Sequence, residues 1–279
     1  MNIPVDTNTQ QQIEALLSGG VNLPPQPKVL LEIEAQASKP NVSMRSVAQL
    51  LSSDAGLTAR IFKVIHSPLF GLRREIDSLD QALSMMGLQS ALAVVKSAAL
   101  RDSIGGDAQA MDVFWDRAND IAILAAIIAK KQRSLIQVSP EHAHMVGLFH
   151  DCGVPILMQR IPGYCANLVK AWPDLLEEDN KHKTSHAVAG YMMAKNWKLP
   201  DAVCQTIRHH HESANAPQEE HAIISLLLMA THIRDLYCGY GDPAWSDMEK
   251  NTLEELGLSV AGKSEFVDDV LNIFQDSLQ

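Results

Sequence analysis

Apolar residues recur along this chain at intervals of three and four, and almost nowhere alternate over a run long enough for a strand. That pattern predicts an all-α protein. A short helix over 10–17 ends at Gly19-Gly20. Leu23-Pro24-Pro25-Gln26-Pro27 must be extended or turning, because each proline restricts the residue before it. Residues 28–37 are helical again, and Pro40 ends that segment. Ser43 is placed as the N-cap of a helix over 44–51, Asp54 as the cap of the next through 65, and Ser78 as the start of one that stops near Gly87. Pro68 and Gly71 break the chain between the last two. Leu88, Ala91, Leu92, Val95 and Ala99 mark one face of a buried helix.

Gly105-Gly106-Asp107 is the clearest internal break. A long helix follows over about 110–132, with Ile121, Leu124, Ala125 and Ile128 in helical register. Ser139-Pro140 opens a helix that closes at the Asp151-Cys152-Gly153 corner. Glu177-Glu178-Asp179 reads as a solvated loop. His186 lies near the start of a helix through Trp197. Pro200 and Asp201 open another, which ends in His209-His210-His211. A last long helix covers 219–237, and two short ones follow near 245–256 and 264–274. The expected architecture is a multi-helix bundle with an N-terminal segment at 1–20, an N-terminal helical subdomain at 21–105, a second bundle at 106–240 and a helical tail at 241–279.

Composition narrows the function classes. The net charge of −10 disfavours nucleic acid, which needs a basic face, and the single Arg73-Arg74 pair does not reverse it. Anionic membrane surfaces are disfavoured for the same reason. The polar N-terminus has no signal-peptide core, and the longest strongly apolar run, 121–129, is too short to span a bilayer. Cys152, Cys165, Cys204 and Cys238 form no Cys-x-x-Cys pair and are expected to be free thiols in a reducing cytoplasm.

The candidate chemistry is a set of histidines and one carboxylate: His150-Asp151, His186 and His210-His211. Imidazole and carboxylate are the usual ligands of a hydrolytic metal, and ligands at helix ends can converge on one ion. Each residue alone has a plainer explanation. A histidine at a helix C-terminus interacts well with the helix dipole, and a core histidine is more often structural than ligating. The set is more specific than its members, and Asp151 is the candidate catalytic group if the chain is an enzyme. His209 is expected to point away, as a surface or capping residue.

An ordered series of motifs carries a resemblance. It runs from Leu23-Pro24-Pro25-Gln26-Pro27 through Asp54-Ala55-Gly56-Leu57-Thr58-Ala59-Arg60, Pro68-Leu69-Phe70-Gly71, Ile76 to Leu83 and Phe114-Trp115. It continues in Gly147-Leu148-Phe149-His150-Asp151-Cys152-Gly153, His186, Trp197-Lys198-Leu199-Pro200 and His210-His211-Glu212. Over about residues 20–240 this series resembles the HDOD family, the HD-related output domain of bacterial signalling proteins. The resemblance implies an HD-like helical bundle and a site built on His150, Asp151, His186, His210 and His211. That site would take a divalent transition metal such as Fe, Mn, Ni or Zn.

The chain departs from the related catalytic HD phosphohydrolases at both ends of the ligand set. Their first histidine corresponds to Arg117, which cannot ligate a cation. Their last aspartate corresponds to Thr231, with His232 beside it. Val154 stands where the cyclic-dinucleotide branch has lysine, and Ser213 to Pro217 replaces that branch's Gly-Tyr-Pro signature. Arg117 and Thr231 are expected to line the pocket, with Arg117 pairing Asp151 in place of a lost ion. Two readings stay open. One is a non-catalytic signalling module that acts on a protein partner or a small-molecule ligand, with a homodimer as a candidate assembly. The other is a metal-dependent phosphohydrolase with a reduced site.

Overall fold

The computed structural model describes residues 7–52, 54–65, 76, 78–240 and 245–276. Ser53, Asp77, the breaks at Pro68 and Gly71, the Arg73-Arg74 pair and the tail limit at 241 lie outside them. All regular structure among the described residues is helical. The N-terminal half holds α1 (Thr7–Ser18), α2 (Lys28–Ala37), α3 (Met44–Leu51), α4 (Ala55–Ile65), α5 (Leu79–Met86) and α6 (Leu88–Ser103). The second half holds α7 (Ala108–Lys131), α8 (Pro140–Phe149), α9 (Gly153–Arg160), α10 (Leu175–His182), α11 (His186–Asn196), α12 (Asp201–His209) and α13 (His221–Tyr237). The tail adds α14 (Trp245–Glu255) and α15 (Lys263–Asp276).

Local chemistry sets many of these boundaries. Asp54, Ser78, Asp107 and Ser139 each accept a backbone N–H three residues on, which satisfies one orphan donor of the helix they open. Ser43 holds the predicted position before α3, but its side chain makes no such bond. Two helices depart from expectation. α9 starts directly at the 151–153 corner, with Pro155 in its first turn, where a missing N–H costs nothing. α10 occupies the stretch read as a solvated loop, because Asp174 caps it through the N–H groups of Leu176 and Glu177.

α7 is the axis of the second half. It packs on α8, α13 and α15, and one continuous apolar cluster runs from Leu16 to Phe274 through both halves. Gly147 lets α8 approach α7 at Ala122, where an added Cβ would come within 2.6 Å of the Ala122 Cα. Gly153 does the same for α9 and α11. A Cβ there would fall 2.0 Å from the His186 carbonyl oxygen. Gly153 is thus required by close approach of two helices.

Two distant motifs meet at the junction of the halves. The Trp197 indole N–H donates to the Pro24 carbonyl at 2.9 Å. Buried Lys96 reaches the carbonyls of Trp197 and Lys198 and pairs with Glu34 at 2.8 Å. The proline-rich opening is therefore tied to the α11–α12 turn just behind the histidine-bearing helices. No single helix among the described residues is long and apolar enough to cross a membrane.

Candidate functional site

Helix ends bring the predicted residues together. His150 closes α8, His186 is the first residue of α11, and His210 follows α12. Ser185 caps α11 by accepting the Val188 N–H, which fixes where His186 emerges. Asp151, His186, His210 and His211 each offer a ligand atom, and these atoms all lie within 4.8 Å of one another. The His186 Nε2 stands 3.4 Å from the His210 Nε2 and 3.0 Å from the His211 Nε2.

Hydrogen-bond partners fix what these nitrogens present. The His186 Nδ1–H donates to the Asp179 carboxylate at 2.7 Å, and the His210 Nδ1–H donates to the Ile207 carbonyl at 2.8 Å. In their neutral forms both rings therefore turn an Nε2 lone pair toward the cluster. Asp151 Oδ1 joins them at 3.3 Å from His210 and 3.5 Å from His186, yet this buried oxygen has no hydrogen bond of acceptable geometry. A buried group of electron-pair donors with too few protons to share is the donor set of one divalent cation. The cluster therefore fits a metal, and Asp179 would hold His186 from behind as such ligands are usually held.

His150 stands apart from the four. Its Nδ1 donates to the Gly147 carbonyl at 2.8 Å, and its Nε2 meets Asp151 Oδ2 at 3.0 Å. In this structure it orients the carboxylate rather than joining the ring of ligand atoms.

Electrostatics follow the same geometry. Burial alone would raise Asp151, but His150, His186 and His210 around it hold its carboxyl well below the usual range. Burial alone would lower His186, but the carboxylates of Asp151 and Asp179 beside it prevail and raise it to about 9. His210 is lowered by burial, with Asp151 opposing only in part. His211 is lowered further, by burial and then by the rings of His210 and His186.

A cavity of about 220 Å³ opens from this cluster, with His150, Asp151, His210 and His211 on its inner wall. His186 is fully buried beneath them. Arg117 and Thr231 line the outer wall. The expected Arg117–Asp151 pair is not formed. Both guanidinium NH2 groups of Arg117 donate to Asp235, which lies one turn beyond Thr231 on α13. The Arg117 guanidinium also sits over Trp172, 4.4 Å from the ring centroid. Asp151 is instead ringed by three histidines, with His150 at 3.0 Å from its Oδ2. His209, expected on the surface, is buried at 9% exposure and belongs to neither the cluster nor the cavity lining. It is carried inward with the C-terminal turn of α12, whose neighbour Arg208 is anchored on Thr9 of α1.

Sequence reasoning missed two carboxylates. Asp179, read as part of a solvated run, accepts the His186 backbone N–H, the His186 ring and the Tyr164 hydroxyl. Asp235 carried no motif, and only its place one helical turn after Thr231 could have flagged it.

Comparison with known proteins places this arrangement. The family model described as the HDOD domain matches residues 23–213. The chain belongs to the HDOD family. An HDOD domain protein of unknown function from Geobacter sulfurreducens superposes with a TM-score of 0.68 at 24% identity, covering 97% of each chain. A Shewanella amazonensis SB2B protein, named as a candidate metal-dependent phosphohydrolase, superposes with a TM-score of 0.68 at 18% identity, covering 98% of this chain and 100% of that one. At such identities these likenesses speak to the HDOD fold alone. An uncharacterized protein of Treponema pallidum (strain Nichols) is 24% identical over 234 residues, 82% of this chain. This HDOD chain spans only 45% of that relative's length.

Proposed function

We propose that this HDOD chain is a signalling or regulatory module that works by binding rather than by hydrolysis. The observation that carries this reading is the buried Arg117–Asp235 pair. A hydrolytic centre needs open coordination beside its ligands. Here the outer wall holds a permanent cation and a carboxylate that pair through two bonds and leave only the Arg117 Nε without a partner. Arg117 repels a second cation, and Asp235 is not available to ligate one.

The inner wall is suited to one divalent transition ion of the Fe, Mn, Ni or Zn kind, held by Asp151, His186, His210 and His211. Such an ion would supply Lewis acidity. In this reading the chain's own residues act around it in a structural way. His150 orients Asp151, Asp179 orients His186, and together they lock the ends of α8, α11 and α12. The cavity outside offers Trp172, Leu176 and Tyr240 to a small-molecule ligand, and the output passes to a signalling partner.

One observation favours a second reading, a metal-dependent phosphohydrolase with a reduced site. Asp151 Oδ1 is buried without a hydrogen bond, and its residue faces an open cavity. There Asp151 would be the catalytic residue, and Arg117 would offset charge on a bound phosphoester. Assays with cyclic dinucleotides and generic phosphoesters, in added Mn²⁺ or Ni²⁺, separate the two. The expected result is no appreciable hydrolysis of cyclic dinucleotides and at most weak activity on generic phosphoesters. Robust turnover that His150→Ala or Asp151→Ala abolishes would establish the second reading.

A further inference from the structure

A separate cavity of about 350 Å³ lies on the far side of His186, between α1, the 182–185 turn and Ile161. One wall is apolar, formed by Leu16, Val21 and Ile161. The other is polar, and three of its atoms are shielded from solvent without a hydrogen bond: Gln12 Oε1, His182 Nε2 and Thr184 Oγ1. They come from two elements, α1 and the α10–α11 connection, and they converge on one space. Buried polar atoms are nearly always satisfied, so three orphans around one cavity point to a ligand that satisfies them.

Charge selects the ligand. Among the described residues, Lys183 lines this cavity and no carboxylate does, in a chain whose net charge is −10. Glu178 lies 3.6 Å from His182 Nε2, an ion-pair distance if the ring is protonated but beyond hydrogen-bond reach. It is already taken up by Lys181 at 2.9 Å and by the Cys165 backbone N–H at 2.8 Å. The shape is amphipathic: an apolar wall faces the Thr184 hydroxyl, the His182 ring nitrogen, one cation and the Gln12 amide, whose NH2 can be turned to the cavity in place of its Oε1.

We propose that this cavity is a second ligand site, for a small organic anion whose carboxylate or phosphate meets Thr184, His182 and Lys183 while a short apolar body rests on Leu16 and Ile161. The 182–185 turn is also the chain that links Asp179 to His186. Thr184 N–H donates to the Asp179 carbonyl at 3.0 Å, and Lys183 sits in the left-handed region with φ 52°. An anion that orders this turn therefore acts on the groups that hold His186. The inference does not depend on whether the histidine cluster binds metal or turns over a substrate.

The test is calorimetric titration of the full chain with butyrate and with butyl phosphate, against butanol and butylamine as controls. Saturable binding of one or both anions is expected with a dissociation constant of about 1 mM or tighter. The better of the two identifies the headgroup. Gln12→Glu, which puts a negative charge on the α1 side, should weaken binding about tenfold or more, and Thr184→Val should weaken it less, each with an unchanged circular dichroism spectrum. Should either variant fold poorly, the ring signals of His182 in the unmodified protein, followed by NMR, should shift on titration. Failure of both anions to bind, equal binding of butanol, or binding that Gln12→Glu leaves untouched would overturn the proposal.

Discussion

The two walls of the central cavity solve the same problem in opposite ways. Each buries charge. The inner wall gathers Asp151 with three imidazoles and leaves an oxygen and several lone pairs without enough protons. The outer wall pairs Arg117 with Asp235 through two bonds and covers the guanidinium with Trp172. An unsatisfied cluster of lone pairs is a place for a cation to bind, and a pair joined by two bonds, with only the Arg117 Nε left over, resists one. In the proposed reading, one wall keeps a donor set with its supports, His150 and Asp179, and the other is closed by an internal ion pair.

The largest effect should come from breaking the satisfied wall. Asp235→Ala leaves the Arg117 charge buried and unpaired, and should cost about 3–5 kcal/mol in urea unfolding. The double variant Arg117→Met with Asp235→Leu should recover most of that loss, because it removes both charges at similar volume. If the single and double variants are equally unstable, the pair is not what holds that wall.

The unsatisfied wall should respond through metal affinity more than through folding. Asp179→Asn keeps the shape but weakens the acceptor behind His186. Affinity for Mn²⁺, measured by competition with a chelator, should fall about 10–100-fold. An unchanged affinity would show that His186 is not a ligand.

These two supports mark where the sequence was legible. The cap residues Asp54, Ser78 and Ser139 announce their helices by local bonding alone, so their boundaries could be placed from neighbours in sequence, whereas Asp107 was read as part of a break and its helix was placed two residues late. The histidine series and His150-Asp151 were legible as a set, because their order and helix-end placement restrict what they can do. Partner choice was not legible. Arg117 and Asp235 are 118 residues apart, and nothing near Arg117 distinguishes Asp235 from Asp151 as its carboxylate. Asp179 looked like Glu177 and Glu178 beside it. It differs only because α10 turns it toward Tyr164 and His186, which no local pattern reveals. α10 itself was hidden because charged residues without an apolar stripe carry little periodicity.

A smaller effect separates the cluster's acid response from that of the fold around it. His144 is buried in α8 away from the cavity, and burial lowers it to about 4, with Glu141 opposing slightly. Its folded pKa lies below its unfolded value, so its contribution is intact above about pH 6.5 and is lost as pH falls from there toward about 4. By pH 5.5 this should cost about 1 kcal/mol. His144→Leu should flatten the fall in melting temperature over that window. An unchanged slope would assign the acid sensitivity to other groups, Asp151 and its histidines among them.

The central claim is that the inner wall ligates and the outer wall does not. Elemental analysis and Mn²⁺ titration of the purified chain and of Arg117→His test it most directly. The account predicts no more than one metal per unmodified chain, bound through the inner wall and lost in His186→Ala. It predicts tighter or additional metal binding in Arg117→His. Two metals per unmodified chain, or one that survives His186→Ala, would contradict it.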